Sequence, residues 1–359
     1  MTDHRSLSGR ATDAVSVLGF TLGWRTLRAL PERAAYGLFD RVADVAYRRG
    51  GKGVQRLRSN YARARPELSP TDLDDLVHAG MRSYMRYYCE AFRLPGLAQA
   101  DIQRAVVAHG AQELQALAAQ GKPVVVFVGH LGNFDLAAAW SARAIGPVTT
   151  VAERLKPEKV YQQFVAFRHS IGMDIIPLTG GEDPFGALVR VTRAGGRVVA
   201  LASDRDLTHN GVEVDLLGHP ARMAKGPAVL SLLTGAPLYA ASIHYEAAPR
   251  GEGLGGHRTI VQFSERLTPR VDGPTAEKAK DLIQQCADHL APTIRAHTSS
   301  WHMLQKVFVD DLDAHPDAVG TPGAAGSAGA DSADRVDSAG SAASSTPGMP
   351  PASVRGSAS

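Results

Sequence analysis

Apolar positions follow two rhythms along this chain. From Val15 to Phe92 they recur every three to four residues, the spacing of helices. Val15–Leu30 reads as one amphipathic helix ended by Pro31. Glu32–Arg48 reads as a second, with Ala35, Leu38, Phe39, Val42 and Ala46 on one face. Ser69-Pro70-Thr71 opens a third, which runs through Leu76, Met81, Tyr84, Met85 and Tyr88 to Phe92 and stops at Pro95. From residue 101 short runs rich in β-branched residues alternate with helical patterns. The strand candidates are Pro123–Val128, Val148–Ala152, Met173–Leu178, Arg197–Ala202, Pro237–Tyr245 and Thr259–Phe263. Helices are expected near Leu136–Ala144, Pro157–Ile171, Pro184–Ala194, Pro227–Leu233 and Thr275–Ala296. Gly251 to Gly256 joins two hairpin strands. This alternation predicts an α/β fold with a mostly parallel central sheet covered by helices, preceded by a helical N-terminal region.

Composition adds the boundaries. The chain has 359 residues and is 44% hydrophobic, enough for one large core. From about Asp311 it collapses to Ala, Gly, Ser, Pro and Asp, which cannot bury enough apolar surface to offset ordering entropy. Residues 1–310 are therefore read as a single domain, with a helical, membrane-facing part to about 100 and an α/β core from 101 to 310. Residues 311–359 are read as a disordered tail. The two cysteines, Cys89 and Cys286, show no metal-ligand spacing and fit a reducing compartment, and no metal site is expected.

Charge changes the picture at one place. The net charge is +3 and the pI near 8.9, but Arg48 to Arg65 holds seven basic residues and no acidic ones. Such a stretch suits an anionic membrane surface or a polyanionic ligand, and equally a solvated helix face. Nothing in the chain points to nucleic acid. The uncharged run Ala14–Trp24 is too short to span a bilayer and lacks a convincing cleavage site after it. Together these predict peripheral attachment to a membrane surface.

The candidate chemistry sits where the strongest strand ends. Pro123–Val128 is apolar almost throughout, as in strands buried on both faces. Gly129-His130-Leu131-Gly132-Asn133-Phe134-Asp135 follows, and then a helix. Ligands of open α/β sheets bind beyond the carboxyl ends of strands. Asn133 suits the N-cap of that helix, and Asp135 would lie in its first turn as a stabilised anion. With His130 on the turn, Asp135 could reach the ring, fix its tautomer and stabilise the imidazolium. N–H groups around Gly132 and Asn133 could receive an oxyanion. A second His-x4-Asp, His169 to Asp174, has no apolar strand before it and is read as structural. Arg197–Ala202 repeats the strand-then-polar-turn pattern and ends in Ser203-Asp204-Arg205-Asp206. If the two strands are neighbours, Asp204 and Arg205 project on the edge that carries His130. Asp204 would bind sugar hydroxyls and Arg205 a phosphate. Arg168 and Asn133 are further candidates for substrate contact.

At His130-Leu-Gly-Asn-Phe-Asp135 the chain resembles the bacterial lipid A biosynthesis acyltransferase family, part of the wider glycerophospholipid acyltransferases. Phe167-Arg168 with Gly172-Met173-Asp174-Ile175-Ile176-Pro177-Leu178 is similar to the family's second block. Ala202-Ser203-Asp204-Arg205-Asp206 is similar to its third, and Trp301-His302-Met303-Leu304-Gln305 to its C-terminal signature. The resemblance covers roughly residues 15 to 308. It implies a glycerophospholipid acyltransferase-like fold, His130 as general base, Asp135 as its partner, and Arg168 and Asp204 in support. Some members have Glu where Asp204 stands. Within the family the chain is most similar to the actinobacterial phosphatidylinositol mannoside acyltransferases. That implies transfer of an acyl chain from acyl-CoA, a substrate and not a cofactor, to a mannose hydroxyl of a glycolipid, at the cytoplasmic face of the cell membrane. Acylation of a lipid A-type or lysolipid acceptor, thioester hydrolysis, and lipid binding without catalysis stay open at this point.

Overall fold

The computed structural model describes residues 28–313, apart from 155–157, 182, 207–209 and 250. The expected helix Val15–Leu30 and the expected tail lie almost wholly outside the described residues.

Three helices open the described chain: α1 (Glu32–Arg49), α2 (Lys52–Ala64) and α3 (Pro70–Arg93). Gly50, at φ +57°, takes the left-handed conformation that ends α1 and turns the chain into α2. At the start of α3 the Ser69 hydroxyl accepts the Asp72 N–H at 3.2 Å, and Pro70 fills a first-turn position where no N–H is needed. The basic stretch is less open than its sequence suggests. Arg56 and Arg63 pair with Asp311, Arg58 with Asp74, and Arg65 with Glu67. Folding brings Asp311 against Arg56 and Arg63 and Asp74 against Arg58, while Arg65 meets an acid two residues away. Arg48, Arg49 and Lys52 lie exposed where α1 meets α2.

The α/β part follows as α4 (Gln99–Ala105), β1 (Val106–His109), α5 (Gln112–Ala119), β2 (Val124–Val128), α6 (Phe134–Ala144), β3 (Val148–Ala152), α7 (Glu158–Ser170), β4 (Met173–Pro177), α8 (Pro184–Ala194) and β5 (Val198–Ala202). A separate antiparallel hairpin, β6 (Val212–Leu216) and β7 (His219–Met223), precedes α9 (Gly226–Thr234), β8 (Leu238–Ala247), β9 (His257–Phe263), α10 (Thr275–Ala296) and the short α11 (Val309–Asp313). The six expected strands are all present to within a residue or two at their ends. β1 and the β6–β7 hairpin were not among them.

The main sheet has seven strands in the order β1-β9-β8-β2-β5-β3-β4, and every neighbouring pair is parallel except β8 with β9. β2 is the middle strand, which explains its apolar run. Val124, Val125, Val126 and Phe127 are buried, and each such side chain contributes about 1.5–3 kcal/mol through burial. After β2 the chain crosses through α6 to β3, two places away, which leaves a slot that β5 fills. After β5 it crosses to the other side of β2, to form β8. The connections from β2 and β5 thus leave in opposite directions, and a crevice opens at their carboxyl ends.

Candidate active site

β2 and β5 pair in parallel with Val128 opposite Ala202. His130 and Asp204 each stand two residues beyond that pair, so they leave the sheet side by side. The ring Nδ1 of His130 lies 2.6 Å from Asp204 Oδ1, and the His130 backbone N–H donates to Asp204 Oδ2 at 2.8 Å. Asp204 is buried, and burial pushes its pKa up. The charge of His130, the two N–H groups and nearby Arg205 outweigh that, and the carboxyl ends below the ordinary aspartate range. An ionised Asp204 on Nδ1 fixes the tautomer in which Nδ1 carries hydrogen and Nε2 presents a lone pair. That is the preparation of a general base.

Asp135 does not perform this task by contact, as its place in the motif suggested. Asn133 starts α6, its Oδ1 accepting the Leu136 N–H at 2.9 Å, and the first turn carries Asp135 inward. There its carboxylate meets the Arg168 guanidinium at 2.8 Å and accepts the Tyr87 hydroxyl at 2.9 Å. Both members of the Asp135–Arg168 pair are buried, and the Arg168 guanidinium also stacks over Phe164, 4.4 Å from its centroid. Burial lifts the Asp135 pKa above the ordinary range against the pull of Arg168 and Tyr87. The pair ties α7, α3 and the start of α6 together beneath the His130 turn.

Other expected contacts also differ. Asn133 is wholly buried, and its Nδ2 donates to Glu90 Oε2 at 2.7 Å, so both ends of its amide serve the turn and not a substrate. Both Asp204 oxygens face His130, which takes them from the sugar-binding role expected of them. Gly132 donates its N–H to the Ser300 carbonyl at 2.8 Å, so that group is engaged and not open to an oxyanion. Its φ of +53° and its surroundings require glycine, because a Cβ there would come within 2.9 Å of Ile243 Cγ2 and 3.1 Å of the His244 backbone nitrogen. Arg205, by contrast, lines both cavities that border the His130 ring.

Two site residues carried no sequence signal of their own. Tyr87, in α3, donates its hydroxyl to Asp135. Glu90 is buried in α3 and accepts from Tyr36 at 3.2 Å, from Tyr245 at 2.9 Å and from Asn133. Only the tertiary arrangement shows that they brace the His130 turn. The buried thiols are poor nucleophiles: burial, with Glu90 nearby, pushes Cys89 up to about 12, and burial also raises Cys286. Among the described residues, His244, Glu246 and His297 approach metal-ligand spacing. The two rings stack face to face at 3.7 Å, and Arg258 lies 3.3 Å from Glu246, so the cluster is already occupied by its own contacts.

The larger cavity bordering His130 is about 110 Å³ and mostly apolar. Val126, Val128, Ala200, Ala202, Thr150 and Ala138 are among the residues that line it. Along β2 and β5 the lining residues alternate, as one face of a sheet must. The cavity runs between that face and α6, with His130 at one end and Val148 and Val198 at the other. An apolar slot ending at a strand-end histidine is suited to hold a fatty chain with its carbonyl beside a base.

Residues 6–309 match the family model described as bacterial lipid A biosynthesis acyltransferase. The chain belongs to this family. It is also similar, with 38% identity over 307 residues covering 85% of this chain and 94% of the relative, to a phosphatidylinositol mannoside acyltransferase of Mycolicibacterium smegmatis. The corresponding protein of Mycobacterium tuberculosis is 38% identical over 309 residues, covering 86% of this chain and 92% of that protein. The matched region takes in the His130 turn, the Asp204 turn, the Arg168 block and the Trp301–Gln305 segment. The chain is thus an acyltransferase by family, with its expected sheet around the acyltransferase motif. No helix among the described residues is long and apolar enough to cross a membrane.

Proposed function

We propose that the chain transfers a fatty acyl group from acyl-CoA to a mannose hydroxyl of a phosphatidylinositol mannoside. The observation that carries the reading is the 2.6 Å contact between His130 Nδ1 and Asp204, placed at the end of an apolar cavity. The acyl chain lies in the cavity and the thioester carbonyl beside His130. Nε2 of His130 takes the proton of the sugar hydroxyl as its oxygen bonds to the carbonyl carbon. Asp204 stabilises the imidazolium, and Arg205 faces the oxyanion. The tetrahedral adduct collapses by breaking the C–S bond, and the CoA thiolate takes the proton back from His130. The acceptor class is drawn from the two mycobacterial relatives.

Strand geometry fits the donor. The β5 residues that line the cavity run from Val198 to Ala202, so at about 3.3 Å per residue that wall is roughly 13 Å long. At about 1.3 Å per methylene from ordinary C–C bonds it matches roughly ten carbons of an acyl chain. Ala200→Phe, which fills the middle of this space, is expected to shift preference toward shorter acyl-CoA.

The reading also places the chain at an anionic membrane surface, on its cytoplasmic face. Along α1 the side chains of Leu38 (44% exposed) and Val45 (37% exposed) alternate with exposed Arg41 and Arg48, which suits an interfacial helix. The deciding experiment supplies purified protein with acyl-CoA, a phosphatidylinositol mannoside and a lipid A precursor at equal concentration. Acylated mannoside is the expected product. Preferential acylation of the lipid A precursor overturns the acceptor assignment, and steady release of CoA without any acylated lipid overturns the transfer reading in favour of thioester hydrolysis.

A further inference from the structure

β2 flanks β8 only as far as Val128 opposite Ala241, yet β8 runs on to Ala247. Past that point other parts of the chain take the place that β2 leaves. Gly132 comes up against Ile243 and His244. Beside it runs a strap, residues 297–302, which leaves the end of α10 through a 3₁₀ turn at Thr298–Ser300. The acyl chemistry above makes no use of this strap, and neither His297 nor Ser300 lines a cavity beside His130.

The strap makes two kinds of contact. Its side chains hold β8. The His297 ring stacks on His244, with 3.7 Å between centroids and 21° between planes. Burial, and after it the charge of His297, pushes the His244 pKa below the ordinary histidine range, so it meets His297 as a neutral ring. The Tyr245 N–H, which has lost β2 as a neighbour, needs an acceptor and finds the Ser300 hydroxyl at 3.2 Å. The backbone of the strap holds the His130 turn. The Ser300 carbonyl accepts the Gly132 N–H at 2.8 Å, and the His302 N–H donates to the His130 carbonyl at 2.8 Å. Between these two bonds Leu131 and Trp301 pair as in an antiparallel ladder. His130 is thus held at both backbone groups, its N–H by Asp204 and its carbonyl by the strap. Ser300, only 2% exposed, joins the two sets of contacts, with its hydroxyl on the strand and its carbonyl on the turn.

We propose that His297 and Ser300 are positioning residues of the transfer reaction: by fixing the strap on β8 they set the His130 carbonyl, and with it the direction of the ring toward the reacting hydroxyl. The inference rests on His130 as the base of that reaction and deepens it. Asp204 alone would leave the turn free to pivot about the contacts on its Nδ1 and N–H side. The strap supplies a second, separate hold. Such a hold matters because a misplacement of about 1 Å near the reacting atoms costs on the order of 10²-fold in rate.

The test separates positioning from binding. Ser300→Ala and His297→Ala should each lower kcat about tenfold, with KM for acyl-CoA and for the phosphatidylinositol mannoside unchanged, the pattern of a loss felt only in the transition state. His297→Phe keeps a ring against His244 and should recover most of the loss. Wild-type kcat in both alanine variants overturns the proposal, and so does a His297→Phe no more active than His297→Ala. His297 is half-buried at a helix end, so its two variants carry the test even where Ser300→Ala does not fold. A second measurement needs no turnover. With ¹⁵N-labelled histidine, the His130 ring signals report its Nδ1 contact with Asp204. They should move in His297→Ala and return toward their wild-type positions in His297→Phe, whereas signals unmoved in the folded alanine variant overturn the proposal. If the signals move as expected while the wild-type protein acylates no glycolipid, the transfer reading falls and the hold of the strap on His130 stands.

Discussion

The chain contains His-x4-Asp twice, and the two copies fold into opposite arrangements. In the copy His169–Asp174 the two side chains touch, with Nδ1 3.2 Å from Asp174 Oδ1. Yet His169 is 76% exposed, and Asp174 also pairs with Arg197. In the copy His130–Asp135 the aspartate faces Arg168 and Tyr87, and the histidine takes its carboxylate from another strand. Contact within the motif is therefore not what builds the site. What distinguishes the first copy is its position at the end of the central strand, beside a second strand that ends in Asp204. Burial then gives the His130–Asp204 contact its strength, while water screens the exposed pair.

The largest expected effect is on the buried copy. His130→Ala should lower transfer about 10⁴-fold, the upper range for losing a general base, with the fold intact by circular dichroism. Wild-type turnover by the folded variant would place the chemistry elsewhere. Next comes the partner from the other strand. Asp204→Asn keeps the shape of the contact but removes its charge, and should lower kcat about 10³-fold. Asp204→Glu should retain more activity than Asn, because it keeps the carboxylate. If Asn and Glu were equally active, the charge on Nδ1 would not matter.

A smaller effect, on stability, tests what Asp135 is for. Arg168→Leu leaves its carboxylate buried without a cation and should cost about 3 kcal/mol at neutral pH, measured by urea unfolding. The sign of its pH dependence follows from the raised pKa of Asp135. A carboxyl held above its unfolded value of about 3.9 contributes most when protonated, and that contribution is lost as pH rises through the folded pKa. The difference between wild type and Arg168→Leu should therefore shrink in acid. Asp204, held low, has the opposite sign: its contribution is present above the unfolded value and lost as pH falls through the folded pKa. The smallest effect belongs to the exposed copy. His169→Ala should change stability by less than about 0.5 kcal/mol and leave transfer unaltered, and any large loss of activity would undo the contrast between the two copies.

Much of the architecture was legible in the order of residues. The run Val124–Val128 announced a strand buried on both faces, and the alternation after it announced a parallel sheet. The positions of His130 and of Ser203-Asp204-Arg205 at two strand ends were equally readable. β1 was not, because Val106–His109 is four residues long and too short to show a period. The β6–β7 hairpin was missed although its positions alternate, with Val214, Leu216, Ala221 and Met223 buried. Its polar residues and Pro220 hid that alternation.

The sequence by itself determined the strand-end motifs, the helix cap at Asn133 and the family blocks, because these depend on neighbours close in the chain. Only the tertiary structure decided which aspartate meets His130. That choice depends on a chain separation of 74 residues and on the parallel register that sets Val128 opposite Ala202. It likewise turned Asn133 from a substrate contact into a buried brace and gathered Tyr87 and Glu90 from α3 beneath the turn. Side-chain partners across a sheet are fixed by strand order and register, and local spacing carries neither.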